Sequence, residues 1–199
     1  MKFVIASGNE KKLSEMKEIL AGLGVDVISQ REAGFTEEIE ETGSTFLENA
    51  MIKASAVCKF SGLPAIADDS GLMVDALGGA PGVFSRRYGD GGLDDEGRYL
   101  YLLSNMKDME QRGAKFVSVI VCVFPNGESI SAYGECAGEI LREPLGDGGF
   151  GYDPIFLVSG TGKSMAQMSK DEKNRVSHRG AALREFNRKL QHYLAGMTE

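Results

Sequence analysis

Two carboxylates, Asp68 and Asp69, stand side by side in Ala67-Asp68-Asp69-Ser70-Gly71, directly after the apolar run Leu63-Pro64-Ala65-Ile66-Ala67. The run predicts a strand entering the core. That places the pair at the strand's carboxyl end, the edge where open α/β sheets bind ligands. Adjacent acids there either hold a hard cation or share a proton, and both uses imply chemistry on an anionic substrate. Taken alone, Asp-Asp-Ser-Gly fits a turn with an Asp capping a helix equally well.

Two further clusters carry chemistry. The chain opens on an apolar run to Ala6, followed by Ser7-Gly8-Asn9-Glu10-Lys11-Lys12. Apolar residues then recur at Leu13, Met16, Ile19, Leu20 and Leu23, which is helical spacing. A strand, a tight polar turn and a helix start are therefore expected. Backbone N–H groups at such a start attract phosphate, and Lys12 adds a point charge. The turn lacks the glycine spacing of a P-loop or dinucleotide fingerprint, so an ordinary strand-to-helix turn fits it too. The second cluster is Gly146-Asp147-Gly148-Gly149-Phe150-Gly151-Tyr152-Asp153-Pro154. Such glycine density costs backbone entropy and implies that backbone comes close to something. A flat aromatic beside it would make a platform for a planar ring, and a glycine hairpin is the plainer alternative.

These clusters need elements to hold them. Residues 25–29 predict a second strand, and residues 34–43 an acidic loop. Thr45-Phe46-Leu47-Glu48 is a capping box opening a helix to about Lys59. Leu72-Met73-Val74-Asp75-Ala76-Leu77 alternates as another strand after the Asp pair. Residues 78–92 form a glycine-rich loop with Arg86 and Arg87, and residues 94–106 a helix. Residues 115–124 are strongly β-forming, and Pro125-Asn126-Gly127 turns them into residues 129–140 as a hairpin. Residues 154–158 give a last strand. Ser177 caps a final helix with Leu183, Phe186, Leu190 and Leu194 inward. The order is α/β, with an antiparallel hairpin before the last helix. A mixed, elongated, twisted sheet flanked by helices follows, rather than a purely parallel one.

Composition narrows the class. At 199 residues the chain can bury a real core, and 42% hydrophobic with 26% charged residues is ordinary for a soluble globular protein. A net charge of −7 argues against nucleic acid polymer and anionic membrane as partners. Any phosphate binding must come from local cations, which favours a small nucleotide in a pocket. No apolar run reaches transmembrane length, and the N-terminus lacks a signal-peptide layout. Cys58, Cys122 and Cys136 are odd in number and widely spaced, as expected of reduced thiols in a cytoplasmic protein.

Six motifs recur in one order. They are Ser7-Gly8-Asn9-x-x-Lys12, Glu40-Glu41-Thr42-Gly43, Ala67-Asp68-Asp69-Ser70-Gly71-Leu72, Leu77-Gly78-Gly79-Ala80-Pro81-Gly82-Val83, Gly148-Gly149-Phe150-Gly151-Tyr152-Asp153-Pro154 and Ser177-His178-Arg179-Gly180. In this order, over essentially the whole chain, they resemble the inosine/xanthosine triphosphate pyrophosphatases of the Ham1-like family. The resemblance implies one domain over residues 1–199, two lobes with the active site in the cleft between them, and a homodimer. It implies hydrolysis of ITP, dITP and XTP to a monophosphate and pyrophosphate, which would clear deaminated purines from the nucleotide pool.

The resemblance also distributes roles. Mg²⁺ takes oxygen ligands. Glu41 and Asp69 are the first candidates, Asp68 is next, and Glu40 is the fallback for Glu41. Asp69 is also the candidate general base, since a water between Mg²⁺ and a carboxylate loses its proton more easily. Lys12, Lys53 and Lys173 are candidate phosphate cations, and Ser7 and Ser70 can donate hydroxyls. Phe150, Gly151, Tyr152, Asp153, His178 and Arg179 form a base-reading group. Hypoxanthine and xanthine present a 6-oxo acceptor and an N1–H donor, where adenine presents the reverse. A site with a donor to O6 and an acceptor for N1–H therefore rejects adenine. Two other readings stay open: a Maf-like pyrophosphatase for other modified nucleotides, and a non-enzymatic nucleotide sensor.

Overall fold

A computed structural model describes residues 1–22 and 24–196; Leu23, expected on the first helix face, lies outside them. The elements run β1 (Lys2–Ile5), α1 (Glu10–Gly22), β2 (Asp26–Ser29), α2 (Phe46–Ser61), β3 (Ala65–Val74), α3 (Asp95–Asn105), β4 (Gly113–Val123), β5 (Ser129–Ile140), β6 (Phe156–Val158), α4 (Lys170–Val176) and α5 (His178–Gly196). One six-stranded sheet has the order β2-β1-β3-β4-β5-β6. β1 pairs parallel with β2 and β3, and β5 pairs antiparallel with β6. The sheet is mixed and flanked by helices, as expected. Among the described residues no helix is long and apolar enough to cross a membrane.

The chain divides into two compact units. The first comprises Met1–Asp69, Ser118–Gly134 and Arg179–Glu199; the second comprises Ser70–Val117 and Glu135–His178. In the first, Ala182, Leu183, Phe186 and Leu190 form one buried stripe of α5. They pack with Met16 and Leu20 of α1 and with Phe3, Ile5, Ile66 and Ile120 of the strands. Each such large side chain contributes about 1.5–3 kcal/mol on burial. The capping box at α2 is complete: Glu48 N–H donates to Thr45 Oγ1 at 3.2 Å, and Thr45 N–H donates to Glu48 Oε2 at 3.1 Å. Gly62 ends that helix at φ 67°, where a side chain would be strained. In the second unit Leu102 and Met106 pack with Leu72, Val74, Phe116, Ile155 and Phe156.

Four expectations change. The Asp pair does not end a strand, because β3 runs unbroken for ten residues from Ala65 to Val74. The Asp-Ser-Gly turn signal is overridden because both carboxylates find cations within the first unit, together with the Ser118 hydroxyl for Asp68 and the Asn49 amide for Asp69. Residues 82–87 of the supposed loop coil into a 3-10 turn, Gly82–Arg87. The last strand is only Phe156–Val158, since Pro154, which cannot donate to a ladder, lies in a 3-10 turn before it. Residues 170–176 form α4, opened by a capping box between Ser169 and Glu172. Ser177, expected only before the final helix, also closes α4 with its N–H on the Lys173 carbonyl.

Candidate active site

In the first unit, neighbouring residues of a strand point to opposite faces. Asp68 and Asp69 therefore enter different surroundings. Asp68 is buried, and Lys12 Nζ lies 3.0 Å and an Arg179 guanidinium nitrogen 3.2 Å from its Oδ2. Ser118 Oγ of β4 donates to its Oδ1 at 2.5 Å. Arg179 is also bonded to Glu15 of α1. Burial alone would push the Asp68 carboxyl up, but Lys12, Arg179 and Ser118 together hold it well below the usual carboxylate range.

Asp69 behaves in the opposite way. Its Oδ1 takes Lys53 Nζ at 3.3 Å, and its Oδ2 takes the Asn49 amide at 3.2 Å. Burial pushes its carboxyl up, outweighing Lys53 and Lys12, and the nearby Glu41 and Asp68 charges act in the same upward direction. Two adjacent carboxyl groups thus have proton affinities driven apart, the arrangement that separates a fixed charge from a working base.

Lys53 joins the acids. Its Nζ also lies 2.6 Å from Glu41 Oε1 and 2.9 Å from the Asp68 carbonyl. The attraction of Asp69 and Glu41 outweighs burial and raises its pKa. Glu41 is half-buried, whereas Glu40 is exposed. A cation thus already sits in a cradle of three oxygens that includes both carboxylates first expected to bind Mg²⁺. Among the described residues no three acid, His or Cys groups converge as a metal cage. Two carboxylates suit Mg²⁺, which is commonly held by one or two carboxylates together with substrate phosphates. Asp68 is the poorer ligand, because its oxygens already serve two cations and a hydroxyl.

The turn before α1 differs from the expectation of amides aimed at phosphate. Asn9 Oδ1 accepts from the N–H groups of Lys11 and Lys12 at 3.1 and 3.2 Å, and Asn9 N–H donates to Ser7 Oγ. Asn9 thus caps the helix, with Gly8, Glu10 and Lys11 exposed around it. From this turn Lys12 reaches Asp68. Ser70, half-buried, follows Asp69 on β3.

The glycine-rich cluster belongs to the second unit. Asp153 Oδ2 accepts from Phe150 N–H and from Lys173 Nζ, both at 2.8 Å, and that ammonium lies 4.6 Å from the Phe150 ring centre. The close approach foreseen for the glycines is to the protein's own atoms. A Cβ on Gly149 would fall 2.1 Å from Asp153 Oδ2, and one on Gly148 would fall 2.7 Å from the Ala166 carbonyl. Gly151 N–H donates to Asp95 Oδ2 at 3.0 Å. Buried Tyr152 donates its hydroxyl to the Ser85 carbonyl at 2.8 Å, so it anchors the loop rather than offering its ring. His178 stacks on Phe116 with ring centres 4.8 Å apart.

The structure thus groups Phe150, Gly151, Asp153 and Lys173. That group lies in the second unit; in the first, Arg179 pairs with Asp68 and Glu15. Sequence reasoning missed Ser118, Asn49 and Glu15. Ser118 left a signal as the only hydroxyl in the apolar run from Phe116 to Phe124. Asn49 follows the capping box directly.

Residues 3–189 match the model of the Ham1 family. A dITP/XTP pyrophosphatase of Thermus thermophilus is 50% identical over 92% of this chain and 89% of its own. One of Bacillus subtilis is 48% identical over 94% and 96%. A solved Ham1 protein of Coxiella burnetii, 44% identical, superposes with a TM-score of 0.88 over 96% of this chain and 99% of its own. The chain belongs to the Ham1 family.

Proposed function

We propose that this protein hydrolyses non-standard purine nucleoside triphosphates, dITP, ITP and XTP, to the monophosphate and pyrophosphate. The activity named for relatives about half identical along nearly the whole chain supports this reading. The observation that carries it is the divergent pair, Asp68 held ionised by Lys12 and Arg179 beside Asp69 with a raised proton affinity. A sensor would need phosphate contacts but no such base.

Asp69 accepts the proton of a water attacking the α-phosphorus. The bond between the α-phosphorus and the bridging oxygen breaks, and pyrophosphate leaves with the electron pair. Lys12 and Lys53 bind phosphate oxygens. Burial lowers the Lys12 pKa, and Asp68 opposes that shift while it aims the ammonium. Glu41 and Asp69 would hold Mg²⁺, which neutralises polyphosphate charge and acidifies water. Asp153, Lys173, Phe150 and His178 handle the base, with Phe150 as the stacking surface. The same proposal includes a homodimer and a cytoplasmic location, which suits three buried free thiols.

A nucleotide panel with and without Mg²⁺ tests the reading. Pyrophosphate should appear from dITP, ITP and XTP, and far less from dATP, dGTP and modified pyrimidine triphosphates. Orthophosphate with a nucleoside diphosphate, or preference for a modified pyrimidine, would overturn it.

A further inference from the structure

Asn49 is fully buried in α2, four residues past the cap at Thr45. Asparagine is a mediocre helix former, so helix propensity does not account for it there. Its amide oxygen accepts from Gly43 N–H at 2.8 Å. A backbone N–H pairs only with an acceptor, so that bond fixes which way the amide is turned. The NH₂ is thereby left facing Asp69 Oδ2, at 3.2 Å. With Lys53 on Oδ1, each Asp69 oxygen has its own donor, which sets the carboxylate's rotation. Gly43 lies two residues after Glu41. A Cβ on it would fall 2.7 Å from Asn49 Oδ1 and 2.6 Å from Glu48 Cβ, so the approach needs glycine.

From these contacts we infer that Asn49 is a positioning residue that ties the Glu41-bearing segment to Asp69 and fixes how the Asp69 carboxylate points. The inference rests on the reading of Asp69 as the base. One substitution splits the two Asn49 hydrogen bonds. Asn49→Asp keeps an oxygen for Gly43 N–H and replaces the donor toward Asp69 with an acceptor. At this fully buried position the new acid also faces the Asp69 carboxylate, so Asn49→Asp adds like-charge repulsion to the lost donor, whereas Asn49→Ala carries the loss without added charge. Asn49→Ala removes both bonds.

Two readouts are needed: steady-state kinetics with dITP, and hydrogen exchange of the Gly43 amide by NMR. Melting curves confirm that each variant is folded. With Asn49→Asp, the Gly43 amide should stay protected while kcat falls at least tenfold and KM moves less than threefold. With Asn49→Ala, kcat should fall similarly and Gly43 should exchange at least tenfold faster. A Gly43 amide equally protected in Asn49→Ala would overturn the tether. A kcat within threefold of wild type in both folded variants would overturn the positioning role. Failure of the wild type itself to release pyrophosphate from dITP would instead sink the proposed reaction, and the Gly43 exchange would still decide the tether.

Discussion

Asp68 and Asp69 share a peptide bond yet differ in the direction of their proton affinity, because one strand sends their side chains to opposite faces. Asp68 meets Lys12, Arg179 and Ser118; Asp69 meets Lys53 and Asn49 but is dominated by burial. Neutralising each should therefore have different consequences. Asp69→Asn should cut kcat by about 10²–10⁴, the usual worth of a general base, without lowering Tm. Asp68→Asn leaves Lys12 and Arg179 facing a neutral amide. Breaking a buried pair costs about 3–5 kcal/mol, so its Tm should fall clearly. Melting curves and turnover on both variants decide this. Equal loss of Tm in the two would contradict the division.

The same contrast sets a pH dependence. The folded pKa of Asp68 is depressed, so in acid the unfolded chain binds the proton first. Its contribution is complete above the unfolded value near 3.8 and is lost as pH falls through the folded one. Asp69 acts oppositely. Its folded pKa is raised, so stability is lost as pH climbs from about 3.8 through the folded value. Urea unfolding from pH 3 to 8 without added metal should give Asp68→Asn a shallower acid slope than wild type, by up to about 1.4 kcal/mol per pH unit. Asp69→Asn should lose the opposing component and gain stability relative to wild type as pH rises above 4. An acid slope unchanged in Asp68→Asn would mean that other carboxylates govern acid unfolding.

Glu41→Gln tests ligand against base. Glu41 shares Lys53 with Asp69 but carries no proton-transfer role in the proposed chemistry. Its amide should raise the Mg²⁺ concentration for half-maximal rate by about tenfold, roughly 1.4 kcal/mol, and saturating Mg²⁺ should restore most of kcat. A kcat that stays low at saturating Mg²⁺ would move Glu41 into the chemical step.

Much of this was legible in the sequence. The box Thr45-x-x-Glu48 and the stripe from Leu183 to Leu190 gave α2 and α5, because local capping and helical periodicity agree with the packing. The unbroken β3 was not legible. Asp-Asp-Ser-Gly punctuates a chain locally, and only ion pairs from distant segments let carboxylates stay inside a strand. The box Ser169-x-x-Glu172 was present, but its mixed charges hid α4. The motif Ser177-His178-Arg179-Gly180 puts Arg179 beside His178 in the base-reading group that the resemblance implies. Successive residues of a helix point about 100° apart, and the two have different neighbours, Phe116 for one and Asp68 for the other.

That separation changes what base recognition predicts. Arg179 is paired with Asp68 and Glu15, so Arg179→Ala should slow every triphosphate by a similar factor and lower Tm. Asp153→Ala should act differently. It frees Phe150 N–H and Lys173 Nζ together and unmakes the loop that Gly149 is shaped to fit. Losing the ordered loop should cost dITP roughly 1–3 kcal/mol, or about tenfold to a hundredfold in kcat/KM. On the proposed base reading dATP gains little from that loop, so its rate should fall much less. The measurement is the ratio of kcat/KM for dITP to that for dATP. It should drop at least fivefold with Asp153→Ala, and stay within twofold with Arg179→Ala and Lys12→Ala. If Arg179→Ala lowers the ratio as much as Asp153→Ala does, the guanidinium reads the base after all and its place beside Asp68 is not its working position.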